Sequence, residues 1–382
     1  MSARRPRVLL LGDTLDVGGT EGQFAEIACG LDRARWDVRV SCVRAEGPLT
    51  ARLEAAGLRP WSCGPASLKS PAALLAMTRL AGYLRREGIQ LVHSFGFYSN
   101  AVGVPAARLA RTPAVIASQR DMGDLRPRLQ RRLHSVVLRL ATHVLVNSEA
   151  IARRLSCTRA ARRGRVTVVP NGVDVVRFRP STRPEGGRPS VTIGTLANLR
   201  PEKGLRQLLE AAARVRRSAP NARFVVWGDG PLRGDLDAAI RTLGLSGAVE
   251  LRGATRDPDT ALRECDIFLL PSLSEASPNV VLEAMATGLP VVATRVGGIP
   301  GLVDDLRTGI LVPPDDPEGL AQAIVKLLHT PTLAAGMGAQ GRARALAEFG
   351  TARMLERLDA FYCRALGPAH GAPAPLETVQ HA

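Results

Sequence analysis

The sequence predicts an α/β protein of two Rossmann-like domains that face each other across a cleft. The chain has 382 residues, which is enough for two ordinary α/β domains and too many for one. In both halves short apolar runs alternate with helical patterns, which is typical of parallel sheets with right-handed crossovers. Between the halves, residues 179–190 combine Pro, Gly and charge without periodicity, as a linker does.

The individual strands are predicted from apolar runs bounded by turn residues. A glycine loop, Gly18-Gly19, follows the first of these runs and precedes a helical pattern over residues 23–31. The predicted strands are 7–11, 38–42, 91–93, 114–118 and 143–147 in the first half, and 191–195, 224–227, 249–253, 267–271 and 291–294 in the second. The domains are predicted at 1–180 and 190–345, followed by a terminal helix at 346–366 and a disordered tail at 367–382.

Charge is distributed unevenly along the chain. The 51 Lys and Arg outnumber the 35 Asp and Glu, and the net charge of +16 favours phosphorylated or polyanionic partners. Between Arg120 and Arg165 twelve Arg stand against three acids, so this segment supplies +9 of the total. The excess is therefore a local patch and not a uniform bias of composition.

Cysteine usage and hydropathy indicate the cellular setting. The six Cys are scattered without a C-x-x-C pair, as expected of reduced thiols in a cytosolic protein. The first apolar run is too short for a secretory signal, and no stretch approaches the roughly 18 apolar residues of a membrane span. We therefore expect a cytoplasmic protein that is either soluble or peripheral on the cytoplasmic membrane face.

A pair of Glu residues beside a helix start marks a candidate site in the segment SLSEASPNVVLEAMATGLP. The Ser-Pro pair at 277–278 is a good helix start, so Glu275 is expected in the preceding loop and Glu283 two turns inside. The backbone N–H groups of Asn279 and Val280 would then point out of the helix start, an arrangement that binds phosphates or sugar hydroxyls. An acid-capped surface helix without a ligand explains the same residues equally well.

A second candidate lies in the segment TLANLRPEKG, which follows a predicted strand and precedes a helix beginning near Leu205. Lys203 offers a point charge to a diphosphate, and Arg200 offers a planar, bidentate one. Basic residues after a strand are also commonly solvated, so this segment supports a binding site only together with the first candidate segment.

The string PSLSEASPNVVLEAMATGLPVVATRVGGIPGLV resembles the donor-site signature of the family-four retaining glycosyltransferases, which have the GT-B fold. The upstream strings ANLRPEKG, WGDGPLR and DIFLLPS, and the downstream string TGILVPPDDPEGLAQAI, are similar to the family's in order and spacing. The GGTE at residues 18–21 also resembles the family's first glycine loop. Together these strings cover about half the chain.

The resemblance implies an enzyme that moves a sugar from a nucleotide-diphosphate donor to a glycan or lipid-linked acceptor, with retention of configuration and without a metal ion or other cofactor. It implies that Glu283 binds the donor ribose, that Glu275 and the following amides hold the sugar, and that Lys203 holds the diphosphate. It also implies that the terminal helix packs back on the first domain. The remaining donor-binding residues by resemblance are Asn198, Arg200, Gly18 and Gly19.

The chain departs from the family pattern at four places. Many members carry G-R-L where this chain has Ala-Asn-Leu at 197–199, so Arg200 is the candidate replacement for the usual diphosphate Arg. The Gly and large apolar residue after the first Glu are Ala and Ser at 276–277, and Gly301 replaces a Glu. Some members have a His after the strand at 114–118, where this chain has Gln-Arg-Asp. His93, which ends the preceding strand, is then expected to face the cleft as a catalytic candidate, although a lone His there is commonly a packed residue.

Residues 127–141, PRLQRRLHSVVLRLA, form an amphipathic helical pattern. Either its apolar face packs on the sheet under a solvated basic face, or the basic face meets anionic lipid headgroups or the diphosphate of a lipid-linked acceptor. Arg120 and Arg126, just upstream, would extend the basic patch towards the mouth of the cleft. The basic face consists of Arg128, Arg131, Arg132 and Arg139, and the adjoining apolar face of Leu129, Leu133, Val136, Val137 and Leu140.

Other classes of protein fit these patterns less well. A nucleic-acid-binding protein would show interleaved aromatics or a known module, and a Rossmann oxidoreductase would show G-x-G-x-x-G after the first strand. A catalytically inactive sugar-binding relative would not need Glu275, Glu283 and Lys203. The D-x-D strings at 235–237 and 257–259 lie on polar surface segments, so no metal site is expected. A soluble small-molecule acceptor remains the alternative to a lipid-linked one.

Overall fold

The computed structural model describes residues 5–64, 70–158, 164–181 and 190–370. The chain divides into two compact units, one formed by Met1–Asn171 with Ala352–Ala382 and the other by Gly172–Thr351. We call them unit 1 and unit 2. The chain passes from one to the other upstream of the predicted linker, of which residues 182–189 lie outside the described part. Most of the predicted tail, residues 371–382, also lies outside it.

Unit 1 contains a seven-stranded parallel sheet in the order β3-β2-β1-β4-β5-β6-β7. Near-continuous apolar runs form the central strands because helices cover both faces of a parallel sheet. Its strands are β1 Arg7–Gly12, β2 Asp37–Cys42, β3 Trp61–Ser62, β4 Leu91–Ser94, β5 Ala114–Gln119, β6 His143–Val146 and β7 Val166–Val168.

The helices of unit 1 bury small and aliphatic side chains against this sheet. The core contains Phe24, Trp36 and Tyr362, each at most 1% exposed, so the last helix contributes directly to it. The helices are α1 Gly19–Gly30, α2 Thr50–Ala55, α3 Ala72–Arg86, α4 Phe97–Ala110, α5 Arg128–Leu140, α6 Glu149–Leu155 and, at the end of the chain, α14 Thr351–Leu366.

Unit 2 contains a six-stranded parallel sheet in the order β10-β9-β8-β11-β12-β13, with an apolar cluster on each face. Its strands are β8 Thr192–Leu196, β9 Arg223–Trp227, β10 Val249–Gly253, β11 Ile267–Leu270, β12 Val291–Thr294 and β13 Gly309–Val312. Its helices are α7 Leu205–Ser218, α8 Arg233–Thr242, α9 Pro258–Arg263, α10 Asn279–Ala286, α11 Ile299–Leu302, α12 Pro317–His329 and α13 Pro331–Arg344.

The prediction of two parallel-sheet α/β domains is confirmed, and the ten predicted strands are present with ends within one residue of those expected. The prediction missed β3, β7 and β13; β3 and β7 have only two and three residues, too few to form a recognisable apolar run. None of the helices in the described part of the chain combines the length and the apolar character that crossing a membrane requires.

Each sheet reverses its strand order once, and open α/β sheets generally bind ligands at such a reversal. The reversal lies between β1 and β4 in unit 1 and between β8 and β11 in unit 2. At such a switch point the loops leave the two strands in opposite directions, which opens a crevice at the carboxyl ends. Residues directly after these four strands are therefore the candidates for ligand binding.

A buried carboxylate ties α14 to the rest of unit 1. Asp359 accepts hydrogen bonds from Arg35 Nε and Nη2 at 2.9 and 2.8 Å and from the Trp36 indole at 2.7 Å. The Asp359 and Arg35 side chains are 6% and 17% exposed, so each charge depends on the other for solvation. The pair fixes how the last helix packs against the segment before β2.

We predict that Asp359→Ala destabilises unit 1 by about 3–5 kcal/mol, because it leaves the Arg35 guanidinium buried without its counter-charge. Urea unfolding followed by circular dichroism measures this loss. The control is Glu356→Ala on the same helix, which breaks an exposed pair with Arg353 and should cost at most about 1 kcal/mol. Equal effects of the two substitutions would contradict the structural role of Asp359.

Candidate active site

Two charged side chains meet at the switch point of unit 2. Lys203 lies in the short helical turn after β8, and Glu275 lies in the loop after β11. Lys203 Nζ is 2.6 Å from Glu275 Oε1, and Ser272 Oγ donates to the same oxygen at 2.8 Å. Glu275 is 9% exposed. The sequence placed both residues at strand ends, and the structure joins them in one ion pair.

Two glycines allow the backbone to come close enough for this pair. Gly204 has φ +64°, and a Cβ there would overlap the carbonyl oxygen of Pro271. Gly297 has φ +51°, and a Cβ there would overlap the carbonyl oxygen of Glu275. At either position a larger residue would have both an unfavourable φ and a clash with a carbonyl oxygen. The two glycines therefore allow the turns that carry Lys203 and Glu275 to lie against neighbouring strand ends.

Helix α10 begins beside Glu275. It starts at Asn279, one residue later than predicted, because Pro278 has an extended ψ of 118° and stands at the N-cap. Among the described residues no side chain caps this helix start, and Asn279 and Val280 are both partly exposed. The start of α10 therefore presents backbone amides next to the Lys203–Glu275 pair.

The loop after β8 also carries Asn198 and Arg200, which are both exposed. Its backbone is held by the loop after β9: the N–H of Leu199 donates to Asp229 O at 3.0 Å. Gly228 permits this approach, since a Cβ there would overlap the carbonyl oxygen of Ala197. The structure thus fixes the loop backbone and leaves the two polar side chains in solvent.

Glu283 lies inside α10, as predicted, in an environment that opposes its charge. Burial raises the pKa of Glu283 to about 7; the Arg177 guanidinium opposes the rise and the Asp259 carboxylate adds to it. Asp259 is itself bound by Arg177 at 3.0 Å and by Arg263 at 2.9 Å. Arg177 and Asp259 could not be linked to Glu283 from the sequence, because their proximity to it arises only from the packing of α9, α10 and the segment before β8.

In unit 1 the glycine loop forms the start of α1. Gly18 is the N-cap in an extended conformation, and the helix begins at Gly19. The Glu21 carboxylate lies in the space that a side chain at position 18 would occupy. Burial raises the pKa of Glu21, and the nearby Asp13 and Asp16 add to the rise. Glu21 is a polar residue at this edge to which the sequence assigned no role.

Arg120 lies at the end of β5 and not on the exposed basic surface where the sequence placed it. Its Nη2 donates to Asn171 Oδ1 at 2.7 Å, and its guanidinium packs 5.5 Å from the centre of the Phe95 ring. Burial lowers the pKa of Arg120 to about 10. Its Nε atom is buried and has no hydrogen-bond partner within the described residues. Arg120 is therefore a packed cation at the carboxyl edge of the sheet.

The expectation that His93 faces a cleft is wrong, because the ring is completely buried. Its Nδ1 lies 2.6 Å from the Tyr362 hydroxyl and its Nε2 lies 2.7 Å from Ser118 Oγ. It also stacks on Phe95 at 4.0 Å. Burial holds the pKa of His93 well below its ordinary value. His93 joins β4, β5 and α14 inside the core.

One of the two sequence interpretations required the apolar face of α5 to pack on the sheet. Of that face only Val137 is buried, so this interpretation fails for its other four residues. The helix buries only His134, Val137 and Leu138. Arg126 does not extend the exposed basic face either, since it is 11% exposed and pairs with Asp121 at 2.7 Å. The exposed residues of α5 are the apolar Leu129, Leu133, Val136 and Leu140 and the basic Arg128, Arg131, Arg132 and Arg139.

Comparison with known proteins identifies the family. Residues 190–330 match the glycosyl transferases group 1 family, and residues 18–172 match the glycosyl transferase 4-like domain. A D-inositol 3-phosphate glycosyltransferase of Corynebacterium jeikeium is 31% identical, covering 91% of this chain and 92% of its own length. The chain belongs to the family-four glycosyltransferases.

Two further proteins show the range of this glycosyltransferase's relatives. An Escherichia coli enzyme described as UDP-Gal:alpha-D-GlcNAc-diphosphoundecaprenol alpha-1,3-galactosyltransferase is 27% identical, over 78% of this chain and 81% of its own. Anabaena Alr3699/HepE, solved with UDP and glucose, has a TM-score of 0.82 at 22% identity, covering 94% of this chain and all of that one. This structural similarity shows that the chain has the GT-B fold.

We predict that Glu283→Gln makes this glycosyltransferase more stable than the wild type near pH 8. The folded chain holds a proton on Glu283 up to a pKa of about 7, against 4.5 for the ordinary group. Wild-type stability therefore falls as pH rises between these values, by up to about 3 kcal/mol, and the Gln variant escapes that loss.

Urea unfolding of both proteins at several pH values between about 5 and 8 measures the difference. Glu318→Gln is the control, because that side chain is 61% exposed. A difference between wild type and Glu283→Gln that does not grow with pH would show that Glu283 ionises normally.

Proposed function

We propose that the protein is a retaining glycosyltransferase that moves a sugar from a nucleotide-diphosphate donor to a glycan or lipid-linked acceptor in polysaccharide or glycolipid biosynthesis. The observation that carries the donor half is the Lys203–Glu275 pair beside the start of α10. Lys203 Nζ has three donors and uses one on Glu275, so it has two for phosphate oxygens. Glu275 keeps an oxygen, Oε2, for a sugar hydroxyl.

The proposed chemistry is electrostatic. The acceptor oxygen bonds to the anomeric carbon on the face from which the diphosphate departs, and the departing phosphate oxygen takes the acceptor proton. Lys203, Arg200 and the first amides of α10 stabilise the negative charge that develops on the diphosphate. Arg200 supports this role because its side chain is exposed in the loop that carries Lys203.

The remaining donor contacts follow from the same residues. Ionised Glu283 accepts hydrogen bonds from the donor ribose, and Asn198 contributes from the loop after β8. In unit 1, the family resemblance assigns Gly18 and Gly19, at the N-cap and first position of α1, to the donor as well. The bound UDP of the Anabaena neighbour supports a nucleotide donor for this fold.

We propose that no metal ion takes part. Cationic side chains and helix amides occupy the role that a divalent metal would play at the diphosphate. Of the two D-x-D strings, the one at 257–259 is engaged otherwise, since Asp259 pairs with Arg177 and Arg263.

The acceptor side is proposed to lie on unit 1, with α5 docking the enzyme on the cytoplasmic membrane face. The exposed leucines of α5 insert between lipids while the neighbouring arginines meet anionic headgroups. The Escherichia coli relative, whose named acceptor is a diphosphoundecaprenol-linked sugar, supports a lipid-linked acceptor. The Corynebacterium relative, named for D-inositol 3-phosphate, supports a soluble small acceptor as the alternative.

We predict that Lys203→Met lowers kcat/KM by about 10²- to 10³-fold, because one charge-assisted contact to the departing diphosphate is lost. Mass spectrometry of products formed from UDP-, GDP- and ADP-sugars measures transfer and identifies the donor. Lys326→Met is the matched control, since Lys326 is an exposed lysine on α12 of the same unit.

The same assay contains two further arms. Product formation should survive EDTA, and NMR of the product should show the donor's anomeric configuration. Wild-type rates in Lys203→Met at both saturating and subsaturating donor would refute the donor site, and loss of activity in EDTA restored by Mn²⁺ would refute the metal-free mechanism.

We predict that the enzyme sediments with anionic phosphatidylglycerol vesicles and not with neutral phosphatidylcholine vesicles. Each basic residue near an anionic surface contributes roughly 1 kcal/mol, so replacing Arg128, Arg131, Arg132 and Arg139 by Gln should weaken binding by about 10²- to 10³-fold. Added salt should weaken wild-type binding as well.

A variant with the same change in charge serves as the control. It replaces four exposed arginines of unit 2 by Gln, namely Arg206, Arg217, Arg223 and Arg241. Equal loss in both quadruple variants would assign binding to net charge alone. Recovery of the wild type in the supernatant with both vesicle types would favour the soluble acceptor.

A further inference from the structure

The loop after β11 is held by hydrogen bonds from both of the neighbouring strand ends. On the β8 side, the N–H of Leu273 donates to Glu202 O, in the short turn after that strand, at 2.8 Å. On the β12 side, the hydroxyl of Thr294, the last residue of the strand, donates to Ser272 O. The backbone of this loop is therefore anchored on both sides.

Ser272 connects one of these anchors to the carboxylate of the candidate site. Its carbonyl oxygen accepts the bond from Thr294, and its hydroxyl donates to Glu275 Oε1 at 2.8 Å. Ser272 and Thr294 are both completely buried, so neither side chain can touch a ligand. A change at Thr294 can therefore reach Glu275 only through Ser272 and the loop.

The two partners of Glu275 Oε1 differ in whether a ligand can compete for them. The Lys203 side chain is 23% exposed, and in the proposed function it also binds the diphosphate. Once a donor is bound, the ammonium shares its charge with the phosphate oxygens, so its bond to Glu275 weakens. Ser272 has no exposed surface, and its bond to Oε1 stays. Ser272 is thus the partner that holds the carboxylate while a donor is present.

We propose that Ser272 is a positioning residue for sugar transfer, and that Thr294 supports it. The Ser272 hydroxyl holds the Glu275 carboxylate in the orientation that presents Oε2 to the sugar. This inference rests on the proposed function, because it requires Glu275 to contact the sugar. It adds two buried residues that touch no substrate and that act on turnover and not on nucleotide binding. A displacement of about 1 Å at a reacting centre can cost about 10²-fold in rate, so a loosened carboxylate lowers kcat.

Thr195 provides an internal control for Thr294. It is also a completely buried threonine in the same sheet, and its hydroxyl also donates to a backbone carbonyl, Leu269 O, at 2.8 Å. That bond ties β8 to a residue inside β11 and not to the loop that carries Glu275. Replacing either threonine by Val removes the hydroxyl with little change of shape and leaves one carbonyl oxygen without that donor. The two variants should therefore lose similar stability, and only the change at Thr294 should affect transfer.

The test measures kcat and KM of the full chain, together with its affinity for UDP, GDP and ADP by isothermal titration calorimetry. Ser272→Ala and Thr294→Val should each lower kcat by about 10- to 100-fold. Their affinity for the nucleotide that the wild type binds most tightly should stay at the wild-type value. Thr294→Ser, which keeps the hydroxyl, should restore most of kcat. Thr195→Val should keep the wild-type kcat, and its urea-unfolding midpoint should match that of Thr294→Val.

Three results would overturn the positioning role: wild-type kcat in Ser272→Ala, equal kcat in Thr294→Val and Thr195→Val, or a loss of nucleotide affinity as large as the loss of kcat. If Ser272→Ala does not fold, the comparison of the two threonines decides. Lys203→Met separates this inference from the proposed function. Activity lost in Lys203→Met but kept in Ser272→Ala would refute the role of Ser272 alone, whereas wild-type rates in both would refute the donor site itself.

Discussion

The ion pair between Lys203 and Glu275 is the interaction on which the proposed donor site depends. It joins residues 72 positions apart, and it forms because β8 and β11 are neighbours at the switch point of their sheet. A partly buried lysine and a buried carboxylate solvate each other in the absence of substrate. In the proposed function the same two groups are preorganised for a phosphate and a sugar hydroxyl, so binding would need little rearrangement.

Unit 1 uses buried polar groups for a different purpose. Asp359 with Arg35, and His93 with Tyr362, connect the terminal helix to segments far away in the sequence. Each pair satisfies groups that would be costly to bury alone, and each requires one particular position of α14. The histidine that the sequence offered as a catalytic candidate is therefore better explained as part of this packing, because both of its ring nitrogens are engaged inside the core.

The sequence predicted the strands well because a buried parallel strand appears as a continuous apolar run. It also predicted the positions of Lys203 and Glu275 after strands and of Glu283 inside a helix, while their roles stay predictions. The sequence did not predict which charged side chains contact each other. The Lys203–Glu275 pair and the cluster around Glu283 depend on which strands become neighbours. For α5 the helical period was correct, but periodicity cannot tell which of two faces a helix buries, and four of the five residues of the predicted aliphatic face are exposed.

Whether an arginine has a carboxylate partner says more about the role of the positive charge than the composition of the chain does. Where a guanidinium is structural, a carboxylate lies beside it, as Asp359 does for Arg35 and Asp37 for Arg7. Along α5, and at Arg120 on the carboxyl edge of unit 1, cations have no carboxylate partner in the described chain. Arg120 packs against the Phe95 ring instead, and His134 is buried nearby. Retaining a desolvated cation costs free energy unless an anion completes its environment. Arg120 bears this cost because its guanidinium is desolvated, whereas the arginines of α5 are exposed to solvent and do not.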